Sequence, residues 1–101
     1  MKFEWKKGTP VLWEEFTWEE VEEYVDHCNM VIIPVGAIEQ HGPHLPLVTD
    51  TAQAMEISKR VSANTGVPVI PPVAVGISQS HGNFPGTLWV RADTMIRILY
   101  D

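Results

Sequence analysis

Residues 30–35 read Met-Val-Ile-Ile-Pro-Val, and Gly36 follows them at once with a loop rich in glycine, proline and histidine. The run is apolar and dominated by β-branched side chains, it is too short for a helix, and it lacks the alternation of a half-exposed strand. It therefore predicts a β-strand that is covered on both faces. Pro34 has no amide donor, so we expect the strand pairing to weaken near this end.

A helix is predicted before this strand. Thr17 and Glu20 have the spacing of a capping box, which is typical of a helix start. The apolar residues that follow recur at helical spacing and predict one packed face. These residues are Val21, Tyr24, Val25 and Cys28.

A second helix is predicted after the loop, from Asp50 or Thr51 to about Asn64, with Gly66 as its stop signal. Its apolar residues form one predicted packing stripe: Ala54, Ile57 and Val61. Residues 67–75 predict a second extended segment, in which three prolines confine pairing to part of its length. Residues 87–90 predict a short strand, and residues 92–100 a third helix.

The order of strand, loop, helix, strand, loop, helix is typical of an α/β fold, a three-layer α/β/α arrangement with a mostly parallel sheet. The chain has 101 residues, enough for one small domain. Strands this apolar need more cover than about three helices supply. We therefore expect residues 1–101 to be part of a single, incomplete domain, which a longer chain or a second chain completes.

Composition excludes several classes of function. The net charge is -6, which argues against nucleic-acid binding, and the acidic run between Glu14 and Asp26 reads as the solvated face of a helix. No run of eighteen apolar residues predicts a membrane span, and residues 1–10 show no export signal. The single Cys28 cannot form an intrachain disulfide, so a cytoplasmic location is expected.

The loop after the first predicted strand concentrates metal-ligating side chains. In an extended backbone Glu39 and His41 leave the same face, and the loop's glycines and prolines permit a tight excursion that returns Asp50 towards them. Carboxylate and imidazole without thiolate suit Zn²⁺ or Mn²⁺, with Fe²⁺ also compatible, and a carboxylate can bridge two ions. A lone Glu-x-His pair is also common by chance, and turn formation or a surface histidine would explain it.

Two longer motifs reduce that ambiguity. From Pro34 to Leu47 the chain reads Pro-Val-Gly-Ala-Ile-Glu-Gln-His-Gly-Pro-His-Leu-Pro-Leu, with Thr-Asp at residues 49–50, and residues 84–87 read Phe-Pro-Gly-Thr. Both resemble motifs of the creatininase (creatinine amidohydrolase) family, and the resemblance extends from about Trp13 to the end of the chain. It implies that Glu39 ligates a first metal ion, that His41 ligates a second, and that Asp50 bridges them.

The resemblance also bears on the other polar residues. It suggests that Ser78, Ser80 and His81 lie on the substrate side of the pocket, although a plain turn explains them equally well. His44 is expected to orient a ligand or to line the pocket, with metal ligation as an alternative. Trp13, Trp18 and Cys28 are interpreted as packing residues.

The implied function is metal-dependent hydrolysis of a cyclic amide or related C–N bond, with a metal-bound hydroxide as nucleophile and no catalytic side chain assigned. Members of the family act on creatinine, formamide-bearing pyrimidines, peptides in cofactor maturation and oxidised cyclic sugars, so the small-molecule substrate stays open. Members typically form homo-oligomers. Their remaining metal ligands, a His and a Glu, lie further along the chain, so we expect residues 1–101 alone to bind metal weakly and to be inactive.

Two alternatives stay open. The chain could be a non-catalytic α/β interaction module, or a truncated subunit that needs a second chain to complete its site. A single-metal site that uses His41, His44 and one carboxylate is a lesser variant, which metal stoichiometry would distinguish.

Overall fold

The computed structural model describes residues 4–101, so residues 1–3 of the polar first segment lie outside the described part. The described chain contains helices α1 (Trp18–Tyr24), α2 (Thr49–Thr65) and α3 (Ala92–Tyr100), with 3₁₀ turns at Trp13–Glu15 and Gln79–His81. It divides into two compact units. The first comprises the residues up to Pro34 together with Met55–Pro71, and the second comprises Val35–Ala54 together with Pro72–Asp101.

The first unit is organised around Val69, which is 1% exposed. Val69 forms parallel bridges to both Leu12 and Ile32. Its amide donates to the Val11 carbonyl at 2.8 Å, and its carbonyl accepts from the Trp13 amide at 2.9 Å. The segment around Val69 is therefore paired on both sides, which agrees with its apolar, β-branched character.

Helix α1 begins as its capping box predicts. The Thr17 side chain accepts from the Glu20 amide, and the Glu20 side chain accepts from the Thr17 amide. The helix ends at Tyr24, however, so the prediction that Val25 and Cys28 continue its packed face is wrong. The residues beyond Val25 have low helix propensity, and the Cys28 amide instead closes a turn on the Tyr24 carbonyl at 3.0 Å.

Helix α2 covers the predicted span and ends before Gly66, which has a φ of 78° that favours glycine. The predicted packing stripe is not covered within the described residues, because Ile57 is 62% exposed and Val61 is 44% exposed. The buried residues of this part of α2 are Ser58 and Ser62. The Ser62 hydroxyl accepts from the Val11 amide at 2.8 Å. The buried face of this part of α2 is therefore held by a hydrogen bond and not by the predicted apolar residues.

The predicted strands appear as isolated bridges. In the second unit Val35 forms a parallel bridge to Val73, and Ile38 forms an antiparallel bridge to Leu88. The bridge at Leu88 is the pairing observed for the strand predicted at residues 87–90. Prolines interrupt the pairing, since Pro34 has no amide to donate and residues 71–72 are both proline.

The prediction that residues 30–35 are covered on both faces is also wrong for the described chain. Val31, Ile33 and Val35 are exposed, while Pro34 between them is buried. Val31 and Ile33 in the first unit therefore present apolar surface that the described residues do not cover, and Val35 does so in the second unit.

Helix α3 has the bounds that the sequence predicts, and its buried residue is Met95. Trp18 is 74% exposed, so its interpretation as a packing residue is wrong within the described residues. None of the helices formed by residues 4–101 has the length and apolar character that crossing a membrane requires.

Candidate metal centre

The site lies in the second unit, where the loop after Val35 packs against the first turn of α2. Gly36 makes this approach possible, because a Cβ atom at this position would meet the Thr51 side chain and would lie 2.6 Å from the Thr51 Cα. The Thr51 hydroxyl in turn donates to the Ala37 carbonyl at 3.1 Å. The loop is therefore held directly over the start of the helix that carries Asp50.

Three side chains converge in this loop and helix turn. Ligand atoms of Glu39, His41 and Asp50 all lie within 4.8 Å of one another, and all three residues are half-buried. His41 Nε2 donates to Asp50 Oδ2 at 3.0 Å. Asp50 lies in the first turn of α2, where the partial positive charge of the helix N-terminus favours a carboxylate.

This arrangement suits a divalent cation. Two carboxylates and one imidazole are the donor set of Zn²⁺ and Mn²⁺ sites, and three protein ligands leave coordination positions open. A cation would occupy the space between the donors, and His41 Nε2 would exchange its proton for it. The described residues therefore provide a fitting, partly complete ligand set.

His81 also reaches this region from the second polar loop. Its Nε2 lies 3.8 Å from Glu39 Oε2, and its Nδ1 lies 3.1 Å from Gln40 Nε2. The Thr87 hydroxyl donates to the His81 carbonyl at 2.9 Å, so the Phe-Pro-Gly-Thr motif at residues 84–87 fixes the turn that carries His81. Sequence reasoning missed Gln40, although its place between two predicted ligands was an available signal.

The other predicted site residues lie elsewhere. Ser78 is buried at the start of the 3₁₀ turn, and its carbonyl accepts from the His81 amide at 2.9 Å. Ser80 is exposed. His44 is exposed on the first loop beside Gly42, outside the cluster of three donors.

Comparison with known proteins shows the family to which this chain belongs. The model of the creatininase family, described as creatinine amidohydrolase, matches residues 14–101. The chain therefore belongs to the creatininase family, as the two sequence motifs predict.

Curated relatives resemble the chain over part of their length. It is 51% identical over 65 residues to the mycofactocin precursor peptide peptidase of Mycolicibacterium smegmatis, covering 58% of this chain and 26% of the relative. It is 32% identical over 95 residues to the 3-dehydro-scyllo-inosose hydrolase of Thermotoga maritima, covering 93% of this chain and 30% of the relative. It is 34% identical over 93 residues to the creatinine amidohydrolase of Pseudomonas putida, covering 86% of this chain and 36% of the relative. The chain thus spans between a quarter and two fifths of the relatives it matches.

Solved creatininase structures share the fold. A mutant creatininase described as Zn-Zn type aligns with a TM-score of 0.80 and 32% identity, covering 89% of this chain and 37% of that chain. A structure described as creatininase Mn aligns with a TM-score of 0.76 and 33% identity, covering 90% of this chain and 40% of that chain. The fold is accordingly α/β, and zinc and manganese forms exist among its structural neighbours.

Proposed function

We propose that this chain supplies the N-terminal metal-binding part of a metal-dependent amidohydrolase, with Glu39, His41 and Asp50 as its share of the ligands. The observation that carries the proposal is the convergence of two carboxylates and one imidazole within 4.8 Å, on a loop and a helix turn. His41 and Asp50 are 9 positions apart in the sequence, so the fold of the loop and not their proximity in the chain brings them together. Membership of the creatininase family supports the same interpretation.

The complete site is proposed to hold two divalent ions, Zn²⁺ or Mn²⁺, with Fe²⁺ also compatible. Bound metal would supply a hydroxide at neutral pH and would polarise the carbonyl group of the substrate. Asp50 lies in the first turn of α2 and contacts His41, and we propose that it would serve both ions as a bridging carboxylate. His41 can accept a metal through Nε2, the atom that donates to Asp50 in this structure.

The substrate is proposed to be a cyclic amide or a related compound with a hydrolysable C–N bond. The names of the relatives cover a precursor peptide, an inosose and creatinine, and one structural neighbour is described as a complex with creatine. The remaining ligands and substrate contacts would come from polypeptide that corresponds to the rest of the relatives. Residues 1–101 are proposed to form the N-terminal part of one three-layer domain, while the homo-oligomer and the cytoplasmic location stay predictions.

Metal binding by matched variants tests the proposal. Replacing Asp50→Asn removes a ligand charge but keeps an oxygen that can accept from His41, so the local fold should persist. We expect the affinity for Zn²⁺ or Mn²⁺, measured by calorimetry, to fall by roughly tenfold or more. The matched control is Asp93→Asn, which also removes a carboxylate from the first turn of a helix, in α3.

Equal metal binding by the Asp50→Asn variant and the wild-type chain would overturn the assignment. The same substitution, placed in a protein extended to the full length of its relatives, should abolish hydrolysis. The Asp93→Asn control should stay active there, which separates loss of a ligand from loss of helix stability.

A further inference from the structure

The hydrogen bonds around Gln40 form a directed chain. The Gly42 amide can only donate, and it donates to Gln40 Oε1 at 2.9 Å. This contact fixes the orientation of the side-chain amide, because the reverse orientation would set two donors against each other. The Gln40 Nε2 group therefore points its N–H towards His81.

His81 must accept that hydrogen bond. Its Nδ1 lies 3.1 Å from Gln40 Nε2 and faces a donor, so Nδ1 is the unprotonated nitrogen of the ring. In the neutral ring the proton is then on Nε2, which lies 3.8 Å from Glu39 Oε2. The Glu39 carboxylate favours the same tautomer, since a lone pair on Nε2 would face a negative charge.

We propose that Gln40 holds His81 in the tautomer protonated at Nε2, which makes His81 a positioning donor for Glu39 and not a metal ligand. A movement of about 1 Å or less brings Nε2 from its present distance to hydrogen-bond distance from the carboxylate. Donors to ligating carboxylates orient them towards the metal, and their loss typically weakens metal affinity. His81 thus directs one Glu39 oxygen and leaves the other free to bind a cation.

The positioning of His81 gives a structural purpose to the Phe-Pro-Gly-Thr motif at residues 84–87. Thr87 donates to the His81 carbonyl, and the Phe84 amide donates to the same atom at 3.0 Å. These two bonds fix the backbone of His81 from its own loop. Gln40 fixes its ring from the loop after Val35, called the metal loop below. The two motifs therefore meet in one hydrogen-bond network, which is separate from the His41–Asp50 pair.

The tautomer can be measured in the metal-free chain. Long-range ¹H–¹⁵N spectra at about pH 8.5, well above the ordinary histidine pKa of about 6.5, report which ring nitrogen carries the proton. We expect an unprotonated Nδ1 and a protonated Nε2 for His81, with exposed His27 and His44 as internal references. A His81→Gln variant assigns the signals by their loss.

The Gln40→Glu variant gives the decisive contrast. One carboxylate oxygen still accepts from Gly42, but the other now faces His81 Nδ1 as an acceptor, so the Nδ1 resonance should move to the position of a protonated nitrogen. The matched control is Gln53→Glu, the same substitution at an exposed position of α2. A protonated Nδ1 in the wild-type chain, or an Nδ1 shift unchanged in the Gln40→Glu variant, would overturn the inference.

A second readout concerns metal affinity and rests on the proposed function. His81→Leu removes the donor to Glu39 and should weaken Zn²⁺ binding by about 10- to 100-fold, whereas His81→Gln keeps an amide donor and should retain most of the affinity. Equal losses in both variants would identify His81 as a direct ligand and overturn the positioning role. Absence of metal binding by a protein extended to the full length of the relatives would defeat the proposed function, while the tautomer measurement would still decide the inference.

Discussion

At the scale of single residues, Gly36 sets the distance between the metal loop and α2. A Cβ atom there would lie 2.6 Å from the Thr51 Cα, which is backbone and cannot rotate away. We expect Gly36→Ala to lower the free energy of unfolding by about 1–3 kcal/mol, as other overpacked sites do. It should also weaken metal binding, since it displaces Glu39 relative to Asp50.

The clash at Gly36 can be separated into a side-chain part and a backbone part. Adding Thr51→Ala to Gly36→Ala removes the clash with the hydroxyl but leaves the clash with the backbone of residue 51. The double variant should therefore recover little stability in urea unfolding, and full recovery would show that the side chain alone sets the spacing. The single Thr51→Ala variant serves as the control for the lost hydrogen bond to the Ala37 carbonyl.

Tyr24 predicts a dependence of stability on pH. Burial raises the pKa of Tyr24 above its ordinary value of 10.0, and the nearby Cys28 raises it further. Because the unfolded chain ionises at the lower pKa, the stability that this shift contributes is complete below about pH 10. It is lost as the pH rises through the pKa of the folded state.

The measurement compares wild type with Tyr24→Phe across pH. Below about pH 10 the wild-type chain should be more stable by about 1 kcal/mol, since the variant lacks the hydroxyl that donates to the Gly66 carbonyl. Above that pH this advantage should shrink. An advantage that stays constant up to about pH 11 would contradict the pKa argument, and Tyr100→Phe, at an exposed position, should behave as wild type.

At the scale of elements, local signals were sufficient for the starts of the helices and for the end of α2, but not for the end of α1. The capping box of Thr17 and Glu20 is a short-range signal that the sequence shows without knowledge of the fold. The same holds for the glycine at position 66, which takes the positive φ that ends α2. The strands could not be predicted as well. Their pairing depends on which amides face one another, and the prolines at residues 34, 71 and 72 leave isolated bridges.

The site shows the same division. The convergence of Glu39, His41 and Asp50 could be predicted, because residue type and close spacing in the sequence suggest it, while their role as metal ligands stays a prediction. The contact between Gln40 and His81 could not, since they lie 41 positions apart and only the folded second unit brings them together. The face of α2 was misjudged for a related reason: the Ser62 hydroxyl meets the Val11 amide, a partner 51 positions away that periodicity does not reveal.

At the scale of the whole molecule, Ile57 and Val61 form an exposed apolar stripe on α2, and we expect further polypeptide to cover it. The chain covers only 30% of the Thermotoga maritima hydrolase, so we expect polypeptide that corresponds to the remainder of such a relative to pack there. We expect that remainder, expressed separately, to bind the chain. Replacing Ile57→Gln and Val61→Gln should weaken this binding by roughly a hundredfold or more, because two buried apolar side chains contribute about 1.5–3 kcal/mol each.

The same substitutions should leave the isolated chain almost unchanged, within about 0.5 kcal/mol in urea unfolding, because both side chains already face solvent in it. This contrast distinguishes an interface from an internal packing role, which would lower the stability of the isolated chain as well. Glu56→Gln is the matched control, since Glu56 lies beside the stripe on α2 and pairs with Arg60 at the surface. Size-exclusion chromatography of the chain alone tests whether a second copy covers the stripe instead. Concentration-dependent dimers that disappear in the Ile57→Gln and Val61→Gln double variant would assign the stripe to a second copy. That result would contradict the proposed occupant.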